Sequence, residues 1–145
     1  MTDLVGLVAV LACALFAGAA IYINLVEHPA RLSCGTEIAA RQWAPSYKRA
    51  TMMQASLALT AAVAGAVRWV QGREILWLCG AGAIFAVVPV TLFVIFPTNR
   101  KLLEAGRDLA SAETRALLES WGRLHAIRSV LSLVASILFI WAATH

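Results

Sequence analysis

Charge is scarce in this chain. Of its 145 residues only 14% are Asp, Glu, Lys or Arg, against about 25% in an ordinary soluble domain. Cysteine is nearly as sparing. Cys13, Cys34 and Cys79 are an odd set without a CxxC pair, which argues against a disulfide framework or a thiolate metal site. Cys13 and Cys79 fall within apolar sequence and read as small packing residues. No HExxH motif, internal repeat, low-complexity tract or long flexible linker is present. The N-terminus has no basic residue ahead of its first apolar run. That run also exceeds the h-region of a signal peptide, so cleavage is not expected.

What the chain has instead is apolar length. Hydrophobic residues make up 61% of it, and the mean hydropathy is +0.77. The uncharged blocks cover 4–26, 50–67, 75–99 and 129–145. Crossing a hydrocarbon core takes roughly 20 apolar residues. The expectation is a single all-α domain over 1–145, a four-helix transmembrane bundle with spans at about 4–26, 50–67, 75–97 and 125–143. The fourth helix should start well before its span, because Ser111 is a suitable N-cap and Glu113 falls in the first turn.

Charge then orients the chain. Segments 27–49 and 100–128 lie on one side and carry ten of the twelve Lys and Arg residues; Arg68 and Arg73 lie opposite. The positive-inside rule places the first and third connections in the cytoplasm and both termini across the membrane. In a bacterium this would be the inner (plasma) membrane. The same bias explains the net charge of +4 without any nucleic-acid partner. Ala58, Ala62 and Ala66 on helix two, and Gly82 and Ala86 on helix three, recur every four residues, as close helix packing requires. Pro89 falls inside the third span and should kink it.

The polar residues are not evenly placed. They collect at the cytoplasmic ends of the spans. Asn24, Glu27, His28 and Arg31 share one face of helix one. Tyr47, Thr51 and Gln54 do so on helix two, and Trp121, His125 and Arg128 on helix four, continued by Ser129, Ser132 and Ser136. Facing lipid, each central charge would cost about 2.5–3.5 kcal/mol, so these stripes should face one another. Arg31, Lys48, Arg49, Arg100, Lys101 and Trp43 read more simply as interfacial anchors. His28 and His125, at one depth on two helices with charged companions, read as functional and should converge on one cavity. Tyr47, Gln54, Asn99 and Arg128 should line it, with Trp121 as an apolar wall. Histidine transfers protons near neutrality. Arg and Asn stabilise a developing oxyanion. A metal between the two histidines is the alternative chemistry.

Four segments carry a family resemblance. They are Glu27-His28-Pro29-Ala30-Arg31, Trp43-Ala44-Pro45-Ser46-Tyr47, Pro97-Thr98-Asn99 and Trp121-Gly122-Arg123-Leu124-His125-Ala126-Ile127-Arg128. In order and spacing the chain resembles the anthrone oxygenase-like membrane family, long catalogued as a domain of unknown function. The resemblance covers nearly the whole chain. It implies a membrane enzyme whose characterised fungal relatives oxidise anthrones to anthraquinones with molecular oxygen. His28, Asn99, Trp121, His125 and Arg128 match the family segments. Joined to the residue chemistry, this suggests a monooxygenase-type oxidoreductase for a lipophilic, anthrone- or phenol-like substrate. His28, His125, Arg128 and Asn99 would be catalytic, and Tyr47, Gln54, Trp121 and Glu27 would contact substrate. Oxygen would be co-substrate and no cofactor is implied; a metal at His28 and His125 stays open. The expected partners are the bilayer and a lipophilic small molecule, with homo-oligomerisation open. Two rival classes remain. A transporter usually keeps an ionisable group near mid-membrane, which these spans lack. A non-catalytic scaffold would use the polar residues only to tie helices together.

Overall fold

The computed structural model describes residues 4–145. Four long helices account for most of them: α1 (Leu4–Ser33), α2 (Thr36–Gly72), α3 (Ile75–Leu102) and α4 (Ala112–Thr144). All four are long and apolar enough to cross a membrane, so the chain is an integral membrane protein. There is no strand among the described residues. Each helix packs on its two neighbours in sequence, and α1 closes the square against α4. The outward faces carry large apolar side chains such as Leu11, Leu59, Leu92, Phe93, Val130 and Ile137, as a lipid solvent allows.

The connections are shorter than the charge pattern suggests. Residues 27–49, expected to connect two spans, are almost wholly helical, with a break only at Cys34 and Gly35. The physical reason is burial: Ala39, Ala40 and Trp43 present an apolar face to the bundle, and Pro45 is accommodated within α2. At 37 residues, α2 is roughly 55 Å long and reaches past the hydrocarbon on its own. Gly35, at φ 95, makes the tight turn that an L side chain would resist. Helix α4 begins at Ala112 as expected. Ser111 caps it, its hydroxyl accepting from the Thr114 amide at 3.1 Å, and the Thr114 hydroxyl donates back to the Asp108 carbonyl at 2.7 Å.

Helix α3 breaks its regular winding at Ala86. It continues through Val87–Pro89 into a π-helical stretch, Val90–Ile95, before Phe96–Leu102 resumes the α-helix. Pro89 has no N–H to give the preceding turn. Two residues on, the Thr91 hydroxyl donates back to the Val87 carbonyl at 2.7 Å. A second π-turn, Ile23–Glu27, lies in α1.

Around Phe139 the bundle is apolar and tightly packed. This ring lies where a Cβ on either Gly65 or Gly80 would come within 2.6 Å. The glycines of α2 and α3 therefore make room for one aromatic from α4. Ala58 and Ala62 are buried as expected and Ala66 is partly so. Gly82 is exposed, and α3 packs through Gly80, Ala81 and Ile84 instead. Recurrence every four residues pointed to Gly82 and Ala86, whereas the contact with Phe139 is made at Gly80. Cys13 is buried and accepts from Ser136 at 3.3 Å. Cys79 faces outward rather than into the packing.

Candidate functional site

At the other end of the bundle, side chains of α1 grip the backbone of α4. The Asn24 amide nitrogen donates to the Gly122 carbonyl at 2.8 Å. One turn on, His28 Nε2 lies 2.8 Å from the Leu118 carbonyl. One turn further, the Arg115 guanidinium donates to the Leu32 carbonyl at 2.8 Å. The antiparallel helices are thus joined at three successive turns. Gly122 makes the second rung possible, since a Cβ there would sit 2.7 Å from the His28 ring.

These partners fix the chemical form of each neutral imidazole. A carbonyl can only accept, so His28 carries its proton on Nε2, and Nδ1 is left buried without a partner. The Gly122 carbonyl likewise orients the Asn24 amide, which turns Asn24 Oδ1 toward His125. That oxygen accepts from the Ser129 hydroxyl at 2.7 Å and lies 2.7 Å from His125 Nδ1. His125 Nδ1 must therefore be the donor, and its Nε2 holds the lone pair. Among the described residues nothing hydrogen-bonds to that nitrogen, and His125 is one of the residues that line a small hollow.

The hollow is bounded by Ile23, Arg31, Ser46, Tyr47, Ala50, Thr51, Trp121, His125 and Arg128. Counting its open side it spans about 270 Å³ of space between atoms, narrow enough that about one water molecule finds room. An aromatic stack forms one side: Trp121 touches both histidines, at centroid distances of 5.0 Å to His28 and 4.8 Å to His125. Trp43 meets Trp121 edge-on at 5.7 Å and stacks on Tyr47 at 5.0 Å. Glu27 organises the rim. Its carboxylate pairs with Arg31 and accepts from Gln42 at 3.1 Å and Ser46 at 2.9 Å. Arg128 donates to Gln54 Oε1 at 2.7 Å and lies 5.3 Å over the Phe16 ring.

A second, apolar space adjoins the hollow between α2 and α3. It is lined by Phe16, Thr51, Gln54, Ala55, Ala58, Val87, Val88, Thr91, Leu92 and Arg128, with about 530 Å³ of empty volume counting its open mouth. Thr51 and Arg128 border both spaces.

Several expected residues come together here and others do not. Tyr47, Trp121, His125 and Arg128 line the hollow. Gln54 lines the apolar slot, and Glu27 acts through Ser46 and Arg31. His28 stands behind Trp121, bound to the backbone, and does not line the hollow. Asn99 lines neither space. It is fully buried on the α3 face of Ile95 and Leu102, both its polar atoms without a partner. One nitrogen of each histidine is engaged, His28 Nε2 and His125 Nδ1, and Trp121 lies against both rings. No cluster of three or more His, Cys, Asp or Glu able to hold a metal occurs among the described residues. Arg31 and Trp43, read as anchors, are buried inside, whereas Lys48, Arg49, Arg100 and Lys101 are exposed. Asn24 was legible only as part of a polar stripe. An amide within an otherwise apolar run was the signal of its central place.

The Tyr47, Asn99 and Trp121–Arg128 segments all lie within residues 43–138, which match the family model described as anthrone oxygenase. The chain belongs to the anthrone oxygenase family. It is 29% identical over 140 residues to anthrone oxygenase tpcL of Aspergillus fumigatus, covering 90% of this chain and 87% of that protein. It is 30% identical over 135 residues to an anthrone oxygenase of Claviceps purpurea, covering 83% of this chain and 78% of that one. No solved structure matches the chain. In this anthrone oxygenase family member the matched region includes His125, Arg128, Tyr47 and Gln54, while Asn24 and His28 precede it.

Proposed function

We propose that this protein is a membrane-embedded oxygenase that converts an anthrone-like lipophilic aromatic to the corresponding quinone with molecular oxygen. The observation that carries the reading is His125: it lines a hollow together with Arg128 and Tyr47, and the Asn24 bond engages its Nδ1, which leaves Nε2 as the basic nitrogen. Family membership and the names of the two fungal relatives support the substrate class.

The chemistry needs little from the protein. An anthrone has a methylene between two aryl rings and opposite a ketone. Loss of one methylene proton yields an aromatic enolate. His125 Nε2 takes that proton, and Arg128 and the Tyr47 hydroxyl steady the charge that gathers on the ketone oxygen. The electron-rich carbon adds dioxygen and, with a proton returned from His125, becomes a hydroperoxide. Loss of the remaining C–H proton then breaks the O–O bond and forms the new carbonyl. Hydroxide and proton leave as water. One anthrone and one dioxygen thus give one anthraquinone and one water, and the substrate supplies all the electrons. Glu27 fixes Arg31 and Ser46 at the rim.

The test is to reconstitute the full chain in nanodiscs and supply an anthrone with dissolved oxygen. Oxygen consumed and quinone formed should rise together, one for one, above empty nanodiscs and persist with a metal chelator present. No acceleration over empty nanodiscs would overturn the reading. A scaffold reading draws on a different observation, that His28 and Asn24 tie α1 to the α4 backbone. It expects polar-end variants to lose folding, with no oxygen uptake at any stage.

A further inference from the structure

The apolar slot between α2 and α3 opens toward lipid. Ala55, Val88 and Leu92 at its mouth are all exposed. The two helices are close where α2 meets Ile75–Phe85, but the π-helical Val90–Ile95 stretch packs on α4 instead, and the helices part there. A space walled by Phe16, Ala58 and Val87 would suit an acyl chain, were it apolar throughout. It is not. Gln54 is 1% exposed. Its Oε1 is taken by Arg128, and its Nε2 is buried without a partner. Arg128, 8% exposed, has its Nε unpartnered as well. Lipid chains offer these donors nothing, and a buried donor without an acceptor is unfavourable.

We propose that this slot is the lateral binding site for a planar fused-ring aromatic bearing a carbonyl or phenolate oxygen, with that oxygen accepting hydrogen bonds from Gln54 and Arg128. The inference rests on the oxygenase reading and adds to it the route and the group that selects the substrate. A flat ring system enters from the bilayer between α2 and α3. Its oxygen takes the donors that lipid leaves unsatisfied. Thr51 and Arg128, which border both spaces, bring the ring edge to the hollow where His125 lies. Gln54 is then a specificity residue: it rejects hydrocarbons of the same shape.

The probes are a hydroxyanthraquinone and anthracene, neither of which has an anthrone methylene to oxidise. Each is titrated into the full chain in nanodiscs, with empty nanodiscs subtracted. The hydroxyanthraquinone should bind at least about tenfold tighter than anthracene, and Gln54→Leu should weaken it to within about threefold of anthracene while leaving anthracene unchanged. Ala55→Trp, on the exposed lip, should weaken both at least about tenfold with helical content retained. Leu92→Trp on the opposite lip gives the same readout if Ala55→Trp does not fold. Equal binding of the two probes to the native chain overturns the proposal and makes the slot a lipid groove. So does binding that is indifferent to both lip substitutions. Binding needs no turnover, so a selective slot beside failed anthrone oxidation would sink the oxygenase reading alone. Anthrone oxidation indifferent to the lip substitutions would sink the slot alone.

Discussion

The two ends of this bundle hold together by different means. Around Phe139 the helices meet through absence of bulk: Gly65 and Gly80 remove their own side chains so that one ring fits. At the other end they meet through side chains that reach for backbone, at Asn24–Gly122, His28–Leu118 and Arg115–Leu32. The first end is mostly apolar packing, with Trp77 Nε1 as an unpartnered polar atom beside Phe139. The second concentrates unsatisfied groups, among them His28 Nδ1, Gln54 Nε2, Arg128 Nε and both polar atoms of Asn99. Lipid does not reward such groups, so their placement together marks where a polar ligand or water has a use. Both π-helical turns lie at or next to this end, where such irregularities are often found at functional sites.

Substitutions at the two ends should separate stability from turnover. The largest effect is expected at His125. His125→Gln removes the base and should lower anthrone turnover by about 100-fold or more, measured as initial quinone formation at equal folded protein. Next comes the packed end. Gly80→Leu drives a side chain into Phe139 and should destabilise the bundle by about 1–3 kcal/mol or more, seen as a lower unfolding midpoint in detergent. At the polar end Gly122→Ala presses on the His28 ring and should cost about 1–3 kcal/mol if the ring cannot yield, read in the same unfolding assay. Unlike Gly80→Leu it should also disturb turnover, because the α1–α4 joint positions Asn24. The smallest effect is expected from Ser129→Ala. It removes one of two donors to Asn24 Oδ1 and leaves the His125 bond, so stability should fall by only about 0.6 kcal/mol. A larger loss of turnover than of stability there would show that the Asn24 orientation itself limits the reaction.

Much of this was legible in the sequence, for identifiable reasons. Uncharged blocks reveal spans because a charge in hydrocarbon is costly, and Ser111 reveals a helix start because its hydroxyl replaces a missing backbone partner. The inward turn of Tyr47, Gln54, His125 and Arg128 followed from helical spacing. What spacing cannot give is which of two faces wins. Gly80 and Gly82 lie on different faces of α3, and only Phe139 from α4 distinguishes them. The helical run from Thr36 was hidden by Pro45 and by scattered charge. The separate roles of the two histidines were hidden as well, because their partners are the Leu118 carbonyl and the Asn24 amide. A backbone carbonyl has no letter in the sequence. Asn99 was placed with the cavity by its motif, yet its side chain lies with Ile95 and Leu102 away from both spaces.

The central claim is that the two histidines do different work, His125 on the substrate and His28 on the backbone of α4. The direct test compares oxygen-coupled anthrone turnover in His125→Gln and His28→Gln, each normalised to folded protein. Glutamine at position 28 can still donate to the Leu118 carbonyl, so His28→Gln should keep most of the native rate. His125→Gln should lose nearly all of it with its unfolding midpoint little changed. Equal loss of turnover in both variants, or a native rate in His125→Gln, would contradict the account.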